Sequence, residues 1–178
     1  MEKIAGASLD PVEGGCYELG SWHTHLFMLA KVLFLMRPGR VLELGAGLYS
    51  TGILSAYALS DPGVEVLSLE NDFNPGWFDR LQWLVRPNCR IEKVDRWDYP
   101  AMGEGWDFVF IDHGPESERP LALEYFRDTG AGVVGIHDCN YPERYARILG
   151  GFRHVAHDRT HKFVTTIASN MWDVTRWL

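Results

Sequence analysis

Acids and histidines recur along this chain, each behind a run of residues that reads as a strand. Glu70 ends Val64-Glu-Val-Leu-Ser-Leu-Glu70, and Asp95 lies in Lys93-Val-Asp-Arg-Trp97. Asp112 and His113 follow Phe108-Val-Phe-Ile111, and His137 and Asp138 follow Gly135-Ile136. A carboxylate accepts hydrogen bonds from hydroxyls and amines, takes up a proton or holds a hard cation. An imidazole titrates near neutrality and serves as a general base or a metal ligand. One acid at a strand end is ordinarily a helix cap or a turn former. Four of them on successive strands argue for a shared site.

The elements that would position them begin at Val41-Leu-Glu-Leu-Gly-Ala-Gly-Leu-Tyr-Ser-Thr51. This reads as a buried strand running into a glycine turn that opens a helix. Such a junction brings backbone N–H groups and a helix N-terminus close to a ligand. Gly45 and Gly47 permit the turn and leave no side chain in the ligand's way. Glu70, a little over twenty residues further on, stands where a carboxylate can accept both hydroxyls of a ribose. The dinucleotide fingerprint G-x-G-x-x-G is not completed, because Ser50 occupies its third glycine position.

Apolar spacing predicts helices over 22–36, 49–59 and 117–126, a helix opening at Asn74-Pro75, and another running from Pro142 towards Leu149. Strands are expected at 40–44, 64–69, 90–94, 106–111 and 132–136, with a closing antiparallel pair at 152–157 and 162–168. Strands alternating with helices imply a doubly wound, mainly parallel α/β sheet covered on both faces. The whole chain, 1–178, is expected to form one Rossmann-like domain, with residues 1–20 as an arm or lid.

The glycine turn with Glu43 before it, the acid after the second strand and the closing hairpin together resemble class I S-adenosylmethionine-dependent methyltransferases. The likeness spans about residues 22–168. It implies a sheet whose last strand inserts antiparallel, and S-adenosylmethionine bound by Glu43, Gly45, Ala46, Gly47, Ser50, Glu70, Asn71, Asp95, Arg96 and Asp112. In that reading Glu70 takes the ribose, Asp95 the adenine amino group and the Arg96 backbone the ring. Asp112, His113 and Asp138 are the expected catalytic residues. His113 is the preferred base, beside the expected point of methyl transfer.

Asp112 and Asp138 are also similar to the two aspartates that bind Mg²⁺ in catechol and caffeoyl-coenzyme A O-methyltransferases. That resemblance departs at two places. Cys139 stands where an asparagine ligand belongs, with Asn140 one residue late, and Pro115 replaces the lysine base. A thiol is a poor Mg²⁺ ligand. Asp112-His-Gly-Pro115, Arg119 and His137-Asp138 resemble a bacterial group of the same superfamily, which speaks for fold and cofactor more than for a reaction. Trp22-His-Thr-His25 falls where the family's first helix faces the acceptor, whereas His154, His157 and His161 are expected at the surface of the last hairpin.

Composition narrows the partners. The net charge of −7, from 17 basic and 24 acidic residues, disfavours a broad grip on nucleic acid. The Asn/Asp-Pro-Pro-Tyr motif of amino-methylating nucleic-acid enzymes is absent, so a small-molecule acceptor is expected. Cys16, Cys89 and Cys139 are widely spaced and without a C-x-x-C pair, which suits reduced thiols in a cytoplasm. No signal peptide or membrane span is read. Trp172 and Trp177 in the tail mark either a self-association surface, hence a homodimer, or a segment folded back onto the sheet. The alternatives to a methyltransferase are a cofactor-binding protein without transferase activity, a nicotinamide-dependent oxidoreductase, and a metal-dependent hydroxylating or hydrolytic enzyme.

Overall fold

Three strands are buried along almost their whole length, and this decides the architecture. In the computed structural model, which describes residues 24–140 and 142–177, they lie at its centre. β1 (Arg40–Leu44) is buried from Val41 onward, and β4 (Phe108–Ile111) and β5 (Val133–Ile136) are buried throughout. Strands with no wet face must be covered by helices on both sides.

With β2 (Glu65–Glu70), β3 (Cys89–Lys93), β6 (His154–Asp158) and β7 (Thr165–Ser169) they form one seven-stranded sheet of order β3-β2-β1-β4-β5-β7-β6. Leu42 pairs with Leu67 and Val109, and Val109 with Val134, all in parallel. β7 runs antiparallel to both β5 and β6. The mainly parallel α/β sheet with an antiparallel last strand is as the sequence predicts.

Alternate side chains of each strand feed two cores. Leu42, Leu44, Val109, Ile111, Val134 and Ile136 pack with α4 (Arg119–Asp128) and α5 (Pro142–Leu149). Val41, Val66, Phe108, Phe110 and Val133 pack with α1 (Leu26–Met36) and α2 (Ser50–Ser60). Glu43 falls on the second face, among apolar neighbours.

Several boundaries move for local reasons. The helix expected from Pro75 is the short α3 (Trp77–Leu81), continued by a 3₁₀ turn over Gln82–Leu84. β4 starts late because Asp107 turns its carboxylate back to accept the N–H groups of Gly39 and Arg40, both at 2.8 Å. β7 starts at Thr165 because the Asn140 side chain holds the preceding segment, accepting from Val164 N at 2.7 Å and donating to Lys162 O at 3.0 Å. The expected arm over 1–20 lies outside the described residues, as do Trp22 and His23. Val174 is fully buried and Trp177 packs against the second core, so the tail folds back onto the sheet. Among the described residues no helix is long and apolar enough to cross a membrane. Cys89 and Cys139 are buried free thiols.

Candidate functional site

In a sheet of this order the chain leaves β1 and β4 in opposite directions, opening a crevice at their carboxyl ends. The glycine turn stands on one wall. Gly45 has φ +89°, and a Cβ there would lie 2.5 Å from His113 Cα and 2.6 Å from the Asp112 carbonyl carbon. Its missing side chain therefore makes room for the chain leaving β4, which Asp112 N anchors to Leu44 O at 2.7 Å.

The turn's amides are engaged internally. Gly45 N and Ala46 N both donate to Leu69 O, at 2.9 and 3.2 Å, and Gly47 N donates to Thr51 Oγ1 at 2.9 Å. These three amides therefore serve the turn itself. Beneath them Glu43 is fully buried and accepts from Thr51 Oγ1 at 2.7 Å and Ser68 Oγ at 2.5 Å. Burial raises its pKa to about 7, against the pull of the Ser50, Ser68 and Thr51 hydroxyls. Glu43 and the buried Ser50 thus brace the turn from below.

Glu70 closes β2 beside that turn. Its carboxyl accepts the backbone N–H groups of Asp72, Phe73 and Ala46, yet burial prevails and raises its pKa to about 7. Val94 N donates to Glu70 O at 2.9 Å, so Asp95 and Arg96, both exposed, follow on the adjoining strand. Asn71 Nδ2 and Trp97 Nε1 converge on Gly114 O at 2.9 and 2.8 Å, and Trp77 Nε1 donates to Ala46 O at 2.9 Å. These bonds tie the loops after β1, β2, β3 and β4 together.

The ends of β4 and β5 are joined by one side chain. Arg119, at the start of α4 and 7% exposed, donates Nε to His113 O at 2.8 Å, Nη1 to His137 O at 3.0 Å and Nη2 to Asp112 O at 3.0 Å. The same guanidinium meets Asp112 Oδ1 at 3.0 Å and Asp138 Oδ2 at 3.3 Å. Asp138 reaches this position with φ +58°. As a sequence feature Arg119 was part of a likeness and had no role. An arginine shortly after one strand-end aspartate, with a second aspartate behind the next strand, is its signal in the sequence, and that signal does not reveal the three carbonyls.

This arrangement does not fit the Mg²⁺ reading of Asp112 and Asp138. The positive charge between the two carboxylates is the Arg119 guanidinium, and the Asn140 amide is engaged by residues 162–164. Asp112 is held at a pKa of about 6: burial and the Asp138 charge raise it, while Arg119 and His25 lower it.

The histidines divide. The His113 ring is fully buried, lies 4.3 Å from the Trp97 ring centroid and 3.5 Å from Tyr99 Oη, and burial with the nearby Arg119 charge lowers its pKa to about 3. It is a neutral wedge beneath aromatic cover, and this burial speaks against the expected role of His113 as the base. His137, also lowered by burial, to about 4, stands beside His25 with ring centroids 4.7 Å apart. In the sequence His25 belongs to Trp22-His-Thr-His25, whose spacing offers no more than an expected place facing the acceptor. The fold, not that spacing, brings it to Asp112 and His137.

No protein-family model and no curated protein sequence matches the chain. Solved structures do. Precorrin-6Y C5,15-methyltransferase from Geobacter metallireducens is 17% identical, with a TM-score of 0.60 over 83% of this chain and 87% of that one. The methyltransferase PaMTH1 from Podospora anserina, in its S-adenosylhomocysteine (SAH)-bound form, is 13% identical, with a TM-score of 0.60 over 80% and 76%. The methyltransferase domain of bacterial CtHen1-CN is 13% identical, with a TM-score of 0.54 over 83% and 98%. The chain therefore has the fold of the class I S-adenosylmethionine-dependent methyltransferases.

Proposed function

We propose that the chain binds S-adenosylmethionine at the β1–β2–β3 end of the crevice and methylates an oxygen or nitrogen of a small acceptor held at the β4–β5 end. The observation that carries this reading is the polarity of the first wall. The N–H groups of Gly45, Ala46 and Gly47 are engaged, while Glu70 and Asp95 add carboxylates to the rim. Such a wall suits a ligand made largely of donors: an ammonium, a ribose diol, an adenine amino group and a sulfonium charge. It suits a dinucleotide poorly, because a pyrophosphate needs free turn amides and those of Gly45, Ala46 and Gly47 are engaged. The nicotinamide alternative is disfavoured on that ground.

The cofactor when bound supplies a methyl group already activated on sulfonium. The chain's part is orientation and proton removal. Asp112, with a pKa of about 6 and its side chain 21% exposed, is the candidate proton acceptor. Asp138, which shares Arg119 with it, completes the polar wall. His113 holds the β4 loop under Trp97. Its burial favours a second reading, a cofactor-binding protein without turnover.

Isothermal titration with SAH, repeated with NAD and on Glu70→Ala, tests the proposal. Micromolar binding of SAH but not NAD, weakened at least about tenfold in the variant, is the expected result. Absence of SAH binding overturns it. SAH binding without methylation across acceptor panels selects the second reading.

A further inference from the structure

Three donor side chains from three separate elements meet at the crevice. His25 directly precedes α1, Asp112 follows β4 and His137 follows β5. One ligand atom from each lies within 4.8 Å of the other two. A single ion about 2.1 Å from each donor atom would hold the three roughly 3.4 Å apart, so the side chains would close in slightly around it. The sequence separations, 87 residues from His25 to Asp112 and 25 from Asp112 to His137, leave the tertiary fold to create the cluster.

The donor types select the ion. Two imidazoles and one carboxylate form the set found in catalytic zinc and non-haem Fe(II) sites, where further positions stay open for solvent or substrate. Mg²⁺ favours oxygen ligands. We propose that His25, Asp112 and His137 bind a borderline first-row divalent ion of the Zn²⁺ and Fe²⁺ class.

The surroundings hold the donors in place. Thr165 Oγ1 lies 3.3 Å from His137 Nδ1, the kind of outer contact that fixes the orientation of a ligating imidazole. Arg119 grips Asp112 at Oδ1 and leaves the carboxylate a second oxygen. The His25 ring leans on Phe110, with centroids 5.4 Å apart, and its carbonyl accepts the first helical N–H of α1, from Leu29 at 3.0 Å. His25 and His137 are 4% and 5% exposed, while the Asp112 side chain is 21% exposed, so the cluster is walled by imidazoles and opens on the carboxylate side. An ion there would stand beside the glycine turn, since the Asp112–His113 backbone is what packs over Gly45. Metal binding and proton uptake at Asp112 are alternative uses of one carboxylate, and the metal binding is measured without S-adenosylmethionine.

The experiment strips the full chain with a chelator, dialyses it separately against Zn²⁺, Co²⁺ and Mg²⁺, and counts retained metal by mass spectrometry. One Zn²⁺ or Co²⁺ per chain is expected, with Mg²⁺ removed on washing. His25→Gln and His137→Gln should each weaken retention at least about tenfold, and Thr165→Val about tenfold. Circular dichroism checks that each variant is folded. Nitrogen NMR of the wild-type imidazoles decides the matter even if a variant unfolds: Zn²⁺ should shift His25 and His137 and leave His113 in place. The proposal is overturned if the wild type retains neither Zn²⁺ nor Co²⁺, if Mg²⁺ is held as tightly, or if binding survives the double His25/His137 variant. That last result would show that these two imidazoles are not the ligands. Loss of SAH binding with metal binding intact would sink only the cofactor reading.

Discussion

The two walls of the crevice are finished by different means. At the β1–β2 end, neighbours in sequence do most of the work: Glu43, Ser50 and Thr51 brace a turn lying between them, and Leu69 O takes two of its amides. At the β4–β5 end one residue from the following helix does it. Arg119 satisfies three carbonyls and two carboxylates that have no other way to be held together. A local brace fails gradually because its bonds are shared among hydroxyls. A single buried guanidinium concentrates the failure, because removing it strands several polar groups at once.

The largest effect should therefore come from Arg119→Met, which leaves the Asp112 and Asp138 charges unpaired beside three unbonded carbonyls. A loss of about 5 kcal/mol in denaturant unfolding is expected, and Arg119→Lys should rescue little, since an ammonium lacks the planar fork. A loss under about 1 kcal/mol would erase the contrast between the walls.

Gly45→Ala attacks the place where the walls touch. The new Cβ would enter the backbone of Asp112 and His113 at a φ of +89°, combining overpacking with strain. About 4 kcal/mol of destabilisation is expected in thermal or denaturant unfolding, with the β4 loop displaced. A fully stable alanine variant would show that the close approach is not needed.

Glu43→Gln sharpens the comparison by its pH dependence. The native pKa of about 7 lies above the ordinary 4.5, so the folded state binds the proton more tightly than the unfolded state does. That contribution is complete below about pH 4.5 and is lost as the pH rises through 7. The glutamine variant cannot ionise. Its stability relative to wild type should climb from near zero at pH 4 to at most about 3 kcal/mol at pH 8. Parallel unfolding curves across that range would mean that Glu43 is not buried as a proton-binding brace.

The smallest effect is expected at the exposed rim. Asp95→Ala should leave the melting temperature unchanged and weaken SAH binding only about threefold, because an exposed contact competes with water. A loss of a hundredfold would make Asp95 an anchor comparable to Glu70.

The sheet and the glycine turn were legible in the sequence because both are short-range. Two-faced apolar strands such as Phe108–Ile111 announce a covered parallel sheet, and the turn lies within eleven residues of chain. The same local pattern carried the strand-end acids at 70, 95, 112 and 138. What it left open was direction and company. That Asp112 and Asp138 share a guanidinium depends on Arg119 arriving from the next helix. Whether a histidine is a base or a buried wedge depends on Trp97 and Tyr99 covering His113.

The sequence alone thus determined the order of strands and helices and the glycine turn between β1 and α2, because periodicity and backbone freedom are properties of neighbouring residues. The tertiary structure alone decided that the turn's amides point inward, that Arg119 bridges β4 and β5, and that His25 meets Asp112 and His137. Hydrogen-bond satisfaction, desolvation and the convergence of donor atoms are set by groups that are distant in the chain and adjacent only in the folded state.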